Sequence, residues 1–190
     1  MYAHMEADPR LDVVYCGLTW HPMKEKLLHM DYYPTGTVIP GREMLRRVLL
    51  DEIGGHPVLG LFKRFCWENV VFPEGRIFED LAVTYRAFLK VNYVGFLMEP
   101  FYHYRSNEES VTHTVNPRKS YYIFLAFLDH YLGAQQFYPE LAGPCCAKTA
   151  HFAASLYFHY CTGEASQLKS EARETRSFLD AHKKTVKENW

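Results

Sequence analysis

The sequence predicts a mixed α/β fold that is followed by a C-terminal all-helical segment. Residues 11–18 form a short apolar run that is rich in β-branched residues, which is typical of a buried strand. Residues 41–53 carry one apolar face and one charged face, which predicts an amphipathic helix. Beyond Pro117 only helical patterns remain. The composition therefore changes near residue 117, where we place the boundary between the two parts.

Turn-forming residues dominate the chain between these first elements and the next helix. Residues 21–40 contain three prolines and a glycine, which predicts a loop with a short strand near residues 30–33. Residues 58–67 are apolar with a basic pair in the middle, and this pattern fits either a strand or a helix. Residues 72–76 are predicted to form a turn, since proline presets one backbone dihedral angle and glycine permits the next.

A further helix is predicted over residues 79–91, where apolar side chains recur at helical spacing. Residues 93–97 are predicted to form a strand, Pro100 interrupts it, and residues 101–105 form another extended piece. Three C-terminal helices are predicted at 118–133, 139–162 and 164–188. Pro144 either breaks the chain or opens the second of these helices, because proline is tolerated in a first helical turn.

Length, charge and cysteine content exclude several classes of function. The 190 residues are 48% hydrophobic and can bury a core, while the net charge of -1 leaves no basic footprint for nucleic acid. No apolar run approaches the ~18 residues that span a bilayer. Residues 1–10 show no signal-peptide pattern, and we set them aside as leading residues or a linker. Five cysteines without a C-x-x-C pair favour reduced thiols and a cytoplasmic location.

Three short segments follow one another between residues 72 and 113. They read Phe-Pro-Glu-Gly-Arg-Ile-Phe-Glu-Asp at 72–80, Glu-Pro-Phe-Tyr-His-Tyr-Arg at 99–105 and Glu-Ser-Val-Thr-His at 109–113. Their order and spacing resemble the second half of bacterial family-2 glycosyltransferases of the GT-A type. The resemblance implies that residues 11–116 are the acceptor-side part of a GT-A-like domain and that residues 117–190 are a C-terminal helical region.

Weaker pieces of the resemblance lie upstream. Residues 12–17 resemble the strand that follows the nucleotide-binding half of these enzymes. Residues 62–64, Phe-Lys-Arg, resemble the end of the family's Trp-Asn-Lys-Leu-[Tyr/Phe]-[Lys/Arg]-Arg segment. Where the family has Trp-Asn-Lys, this chain has Val-Leu-Gly at residues 58–60, which puts any donor-holding role of that segment in doubt here.

The resemblance also implies a metal that this sequence does not supply. The nucleotide-binding half of such enzymes carries an Asp-x-Asp element whose carboxylates hold a divalent metal and the donor diphosphate, and this chain contains no Asp-x-Asp. We expect Mg²⁺ or Mn²⁺ only together with that half, and no metal on this chain alone. The chain is expected to be a fragment of a longer protein, or one that has lost the donor half, and to be inactive by itself.

Glu79 and Asp80 are the candidate catalytic residues. Sugar transfer requires a base near the attacking acceptor hydroxyl, and a positioned carboxylate can take that proton. The resemblance implies that Asp80 is this base and that Glu79 contacts sugar hydroxyls. Both residues lie at a predicted helix start, where the helix dipole favours the ionised carboxylate. An aspartate at a helix start is also a common cap, so a structural role remains open beside the catalytic one.

The candidate substrate-binding residues are Arg105, His103 and Ser110. In an extended segment His103 and Arg105 share one face, and an arginine can pair with a diphosphate through two hydrogen bonds. A structural salt bridge for Arg105 and a structural role for His103 are the alternatives. Ser110, with Thr112 and His113, lies on a loop that covers the donor in the family, or is simply solvated here.

The expected partners are a nucleotide-sugar donor and a saccharide or lipid-linked acceptor. The implied process is synthesis of cell-surface polysaccharide or lipopolysaccharide, in the cytoplasm or at the inner face of the membrane with peripheral association. Two other hypotheses stay open: a non-catalytic helical interaction module over residues 118–188, and a degenerate transferase domain that binds sugar without turnover.

Overall fold

The central strand β1 (Leu11–His21) organises a four-stranded sheet with the order β2-β4-β1-β3. The computed structural model describes residues 1–21, 33–105 and 118–190. The other strands are β2 (Val38–Pro40), β3 (Gly60–Phe62) and β4 (Tyr93–Arg105). β1 pairs in parallel with β4 and antiparallel with β3, and β2 pairs antiparallel with β4. The predicted mixed α/β class is confirmed.

Six α-helices accompany these strands in the described part of the chain. They are α1 (Tyr2–Ala7), α2 (Gly41–Leu49), α3 (Glu79–Ala87), α4 (Arg118–Phe137), α5 (Ala142–Cys161) and α6 (Lys169–Asn189). Short 3₁₀ turns lie at Pro57–Leu59, Arg64–Trp67, Phe88–Lys90 and Pro139–Leu141. The segment 58–67, which the sequence left ambiguous, thus contains a short strand with a 3₁₀ turn on each side.

The chain divides into two compact units. The first unit comprises Met1–Val71 and Thr84–Thr114, and the second comprises Phe72–Val83 and Val115–Trp190. The sheet, α1 and α2 belong to the first unit, whereas α4, α5 and α6 belong to the second. Helix α3 begins in the second unit and ends in the first.

The first unit is built around the buried face of β1. Val13 and Val14 are fully buried, as expected for a strand whose apolar run shows no alternation. Tyr15 lies among aromatic rings, with its ring centroid 5.9 Å from that of Phe62 and 6.2 Å from that of Phe96. Met5 of α1 is also buried in this unit, so residues that the sequence analysis set aside contribute to a core cluster.

Glycine is required at the first residue of α2. The Gly41 amide donates a 2.8 Å hydrogen bond to the carbonyl of Asn92, and a Cβ atom at Gly41 would overlap the backbone carbonyl of Val91. The close approach of the two backbones therefore leaves no space for a side chain.

We expect Gly41→Ala to destabilise the first unit by about 2–3 kcal/mol, because the two backbones must separate to admit the methyl group. The free energy of unfolding from urea titrations measures this loss. Gly143→Ala is the matched control: a Cβ atom there meets only the side chain of Asn189, which can move aside. Equal stability of the two variants would contradict the tight packing at Gly41.

An ion-pair network fixes the outer face of α2. Arg46 Nε donates to one carboxylate oxygen of Glu43 at 3.0 Å, and Arg47 Nε donates to the other at 2.6 Å. Arg46 also pairs with Glu52 at 2.8 Å. The hydrogen bonds from Arg46 and Arg47 lower the pKa of Glu43 from its ordinary value of 4.5 to about 2.

Glu43→Gln should lower the free energy of unfolding by about 1 kcal/mol at pH 7, since Glu43 is a third exposed and solvent screens the pairs. A carboxylate with a lowered pKa stabilises the fold above its unfolded-state pKa. This stabilisation is lost as pH falls from about 4.5 to about 2. The difference between wild type and variant in urea titrations should shrink over that range, and a constant difference would contradict the pairing.

The three helices α4, α5 and α6 pack together within the second unit. Thr149 of α5 donates to the carbonyl of Phe127 on α4 at 2.9 Å, and the Phe127 and Phe152 rings stack at 4.7 Å. Phe178 of α6 packs edge-on against Phe124 of α4 at 5.7 Å. The helical character predicted after residue 117 is confirmed.

Several predicted helix ends differ from the observed ones. α4 does not end at Gly133 but continues to Phe137, because the glycine is buried and tertiary packing outweighs its low helix propensity. Pro144 lies in the first turn of α5, which confirms the second of the two alternatives. α6 begins at Lys169 and not at residue 164, because Gly163, at φ +89°, lies in a run of turns that separates α5 from α6.

Pro100 does not separate the strand predicted at residues 93–97 from the extended piece predicted at residues 101–105. Residues 93–105 form the single strand β4, which corrects the prediction of two separate extended pieces. The pairing with β1 shifts register on both sides of Gly17, which is opposite Pro100. A proline is tolerated at such an irregularity because no ladder hydrogen bond needs its missing N–H. The short strand predicted at 30–33 falls almost wholly outside the described residues.

All five cysteines carry free thiols. Cys66 and Cys145 are buried, and burial raises the pKa of Cys66 to about 11 and that of Cys145 to about 12. Thiols that stay protonated at neutral pH are poor nucleophiles and poor metal ligands.

Candidate functional site

The segment 72–80 forms a turn that leads directly into helix α3. Glu74 and Gly75 form the turn, with Gly75 at φ +74°, a conformation that glycine adopts without the steric cost of a Cβ atom. The predicted turn is therefore confirmed. The chain then runs through Arg76 and Phe78 to the first helical residue, Glu79.

Glu79 and Asp80 are the first two residues of α3, which confirms their predicted place at a helix start. The Glu79 side chain is exposed and Asp80 is partly buried. The Asp80 Oδ1 atom accepts a hydrogen bond from the Leu81 amide at 2.7 Å. This amide lies in the first turn, where no backbone carbonyl is available to it. Asp80 thus satisfies one amide of the first turn through its side chain, a capping interaction, although it is the second helical residue and not the N-cap itself.

Phe78 precedes Glu79 with a backbone φ of +63°. This left-handed conformation costs a residue with a Cβ atom about 1–2 kcal/mol, and it is unusual for a bulky side chain. The Phe78 carbonyl accepts the first helical hydrogen bond, from the Ala82 amide at 3.2 Å. The chain therefore enters α3 through a strained residue directly before the two acidic side chains.

Two side chains of α4 contact this segment. Arg76 Nη2 donates to Asp129 Oδ2 at 2.6 Å, and both side chains are largely buried. The His130 Nε2 atom lies 2.7 Å from the Leu81 carbonyl oxygen, and His130 is fully buried. Sequence patterns carry no signal for these contacts, because Arg76 and Asp129 are 53 positions apart.

His103 and Arg105 lie near the end of β4 in the first unit. Both are exposed, while Tyr102 and Tyr104 are partly buried, so the predicted alternation of faces is confirmed. Glu79 and Asp80 belong to the second unit. The structure therefore shows two sets of candidate residues, one in each unit. Ser110, with Thr112 and His113, lies outside the described residues.

Two residues of the weaker resemblance form a structural ion pair in the first unit. Asp12 is only 4% exposed, and its carboxylate accepts hydrogen bonds from Lys63 Nζ at 3.0 Å and from the backbone and side-chain amides of Asn92. Burial raises the pKa of Asp12, but the hydrogen bonds from Asn92 and Lys63 outweigh it and hold the pKa below its ordinary value. The three residues together tie β1 to the segments at Lys63 and Asn92.

No family model matches this sequence, and no curated protein matches it significantly. Membership of the glycosyltransferase family thus remains a prediction that rests on the three segments between residues 72 and 113.

Within residues 1–21, 33–105 and 118–190, no three or more His, Cys, Asp or Glu side chains cluster as metal ligands would. None of the helices in the same ranges is both long and apolar enough to cross a membrane.

Proposed function

We propose that this chain is the acceptor-side part of a glycosyltransferase that moves a sugar from a nucleotide-sugar donor to a saccharide or lipid-linked acceptor. In this proposal Asp80 is the catalytic base, and Glu79 binds acceptor or donor hydroxyls. Residues 11–116 are the acceptor-side part of a GT-A-like domain, and residues 117–190 are a C-terminal helical region. The process is synthesis of bacterial cell-surface polysaccharide or lipopolysaccharide, in the cytoplasm or at the inner face of the membrane.

The observation that carries the proposal is the strained backbone of Phe78 directly before Glu79 and Asp80. A helix cap alone needs no strain, since capping residues normally adopt extended backbone angles. Left-handed conformations at bulky residues persist where the surrounding structure enforces them, and they cluster at functional sites. The strain and the family-like motif coincide at the same three residues, which supports a functional role for this turn.

The chemistry follows from the position of Asp80 in the first turn of α3. The hydrogen bond from the Leu81 amide holds one oxygen of the Asp80 carboxylate in place at the start of the helix, and a positioned carboxylate can accept a proton. In the transfer step the acceptor hydroxyl oxygen bonds to the anomeric carbon of the donor. The bond from that carbon to the diphosphate breaks, and the hydroxyl proton passes to Asp80.

Arg105 and His103 supply the donor side of the proposal, together with Ser110, which lies outside the described residues. The exposed Arg105 guanidinium can pair with the leaving diphosphate and neutralise part of its charge. The Mg²⁺ or Mn²⁺ that the resemblance implies belongs to an Asp-x-Asp element elsewhere. Among the described residues, no three or more His, Cys, Asp or Glu side chains cluster as ligands for it.

Acceptor-dependent release of nucleoside diphosphate tests this function. The full polypeptide that carries this chain is incubated with a panel of nucleotide sugars and bacterial oligosaccharides, with Mg²⁺ or Mn²⁺. We expect release above the hydrolysis background with at least one donor and acceptor pair. Oligosaccharide binding without turnover would instead identify a degenerate sugar-binding domain. The absence of both binding and turnover would contradict the proposal.

A further inference from the structure

One face of helix α4 contacts the chain on both sides of Phe78. Tyr122, Asp129 and His130 are spaced by seven residues and by one, so they project from the same side of the helix. The Tyr122 hydroxyl lies 3.5 Å from the Gly75 carbonyl, a long contact that adds little. The two short contacts are those of Asp129 and His130.

Asp129 fixes the chain on the N-terminal side of Phe78. Its bond to Arg76 is short, at 2.6 Å, and the side chains are 26% and 19% exposed, so solvent screens the pair less than a surface salt bridge. The Arg76 Nε atom is buried and has no hydrogen-bond partner among the described residues. The placement of Arg76 therefore depends strongly on Asp129.

His130 fixes the chain on the C-terminal side of Phe78. A carbonyl oxygen only accepts hydrogen bonds, so the contact with Leu81 requires a proton on His130 Nε2. The imidazole is fully buried and also packs edge-on against the Phe127 ring, with centroids 5.4 Å apart. Because the His130 ring is buried and packs against Phe127, it is a fixed hydrogen-bond partner for the Leu81 carbonyl.

We propose that Asp129 and His130 are positioning residues that hold the Phe78-Glu79-Asp80 turn in its strained conformation. They anchor Arg76, two residues before Phe78, and Leu81, three residues after it. A left-handed Phe78 relaxes unless both flanks are fixed, because the strain alone favours another backbone angle. The effect of this clamp on catalysis rests on the proposed function, whereas its effect on the backbone does not.

Paired substitutions at these sites test the clamp. Asp129→Asn removes the charge, and His130→Phe removes the donor but keeps a ring of similar size. His130→Gln is the rescue variant, since its side-chain amide can still donate to the Leu81 carbonyl. Asp180→Asn is the matched control, because Asp180 pairs with Arg176 at an exposed site in the same unit.

Amide hydrogen exchange is the readout that does not depend on the function. We expect Asp129→Asn and His130→Phe to speed exchange at residues 76–82 at least roughly ten-fold, with amides of α5 unchanged. His130→Gln and Asp180→Asn should stay near wild type. Phe78→Asn added to Asp129→Asn should slow exchange again, since asparagine tolerates the left-handed conformation. The comparison of Asp129→Asn with this double variant also tests the clamp if His130→Phe does not fold.

Transfer kinetics give the second readout. Displacement of a catalytic base by about 1 Å can lower the reaction rate on the order of 10²-fold. The clamp variants should therefore have a lower kcat with little change in KM. Unchanged exchange at residues 76–82 in both clamp variants would overturn the clamp. If exchange rises while the wild type transfers sugar with no donor and acceptor pair, the clamp stands and the proposed function fails. If Asp80→Asn transfers sugar at the normal rate, only the role of Asp80 as base fails. Raised exchange with unchanged kcat would overturn the positioning role alone.

Discussion

Replacement of Asp80 by asparagine should lower kcat for sugar transfer by about 10²–10⁴-fold and lower the free energy of unfolding by less than about 1 kcal/mol, the usual contribution of a negative charge in a first helical turn. The factor is the usual contribution of a positioned general base. Asparagine has the same shape, and its side-chain oxygen can still accept the hydrogen bond from the Leu81 amide. The helix cap is thus retained while the basic carboxylate is lost, so the variant separates the two roles of Asp80.

Two companion variants complete this experiment in the full polypeptide that carries the chain. Asp80→Ala removes the cap as well, and it should lose both the activity and about 1 kcal/mol of stability. Glu74→Gln is the control, because Glu74 is an exposed carboxylate of the same segment that has no place in the proposed chemistry. Near-normal transfer by Asp80→Asn would show that Asp80 serves only as a cap.

Replacement of Asp12 by alanine should destabilise the first unit by about 1–3 kcal/mol, the usual cost of leaving hydrogen-bonding groups without their partner, because the Lys63 side chain is 36% exposed and can be hydrated. The variant leaves Lys63 Nζ and both amides of Asn92 without this acceptor, and the Asp12 side chain is only 6% exposed. β1 would lose its link to the segments at both residues. Hydrogen exchange of β1 and β4 amides reports this loss within the first unit.

The control for Asp12 is Asp8→Ala in the same unit. Asp8 pairs with Arg10, whose side chain is 66% exposed, and such a pair contributes little to stability. We expect protection of β1 and β4 to fall strongly in Asp12→Ala and to stay unchanged in Asp8→Ala. Similar protection in the two variants would contradict the structural role assigned to Asp12.

Local patterns predicted much of this fold. The β-branched run at Val13 and Val14, the two-faced helix that begins at Gly41, and the turn at Gly75 each depend on neighbouring residues, and each was confirmed. β2 was missed because three residues are too few to show an alternating pattern. The continuous β4 was missed because the bulge that accommodates Pro100 depends on its pairing with β1.

The setting of the candidate site was less predictable for a different physical reason. The position of Asp80 at a helix start follows from local periodicity, and the structure bears it out. The left-handed Phe78 does not follow from local propensity, since propensity disfavours that conformation for phenylalanine. It coincides with contacts from Asp129 and His130, which are about 50 positions distant. One sequence carries no signal for such pairings.

The claim that the first turn of α3 is a sugar acceptor site is tested most directly by a binding map. The ¹⁵N-labelled chain is titrated with bacterial polysaccharide fragments while amide chemical shifts are recorded. We predict that the largest shifts occur at Glu79, Asp80 and Leu81 and that they disappear in an Asp80→Ala, Glu79→Ala double variant. Shifts confined to α5 and α6, or unchanged in the double variant, would contradict the acceptor site.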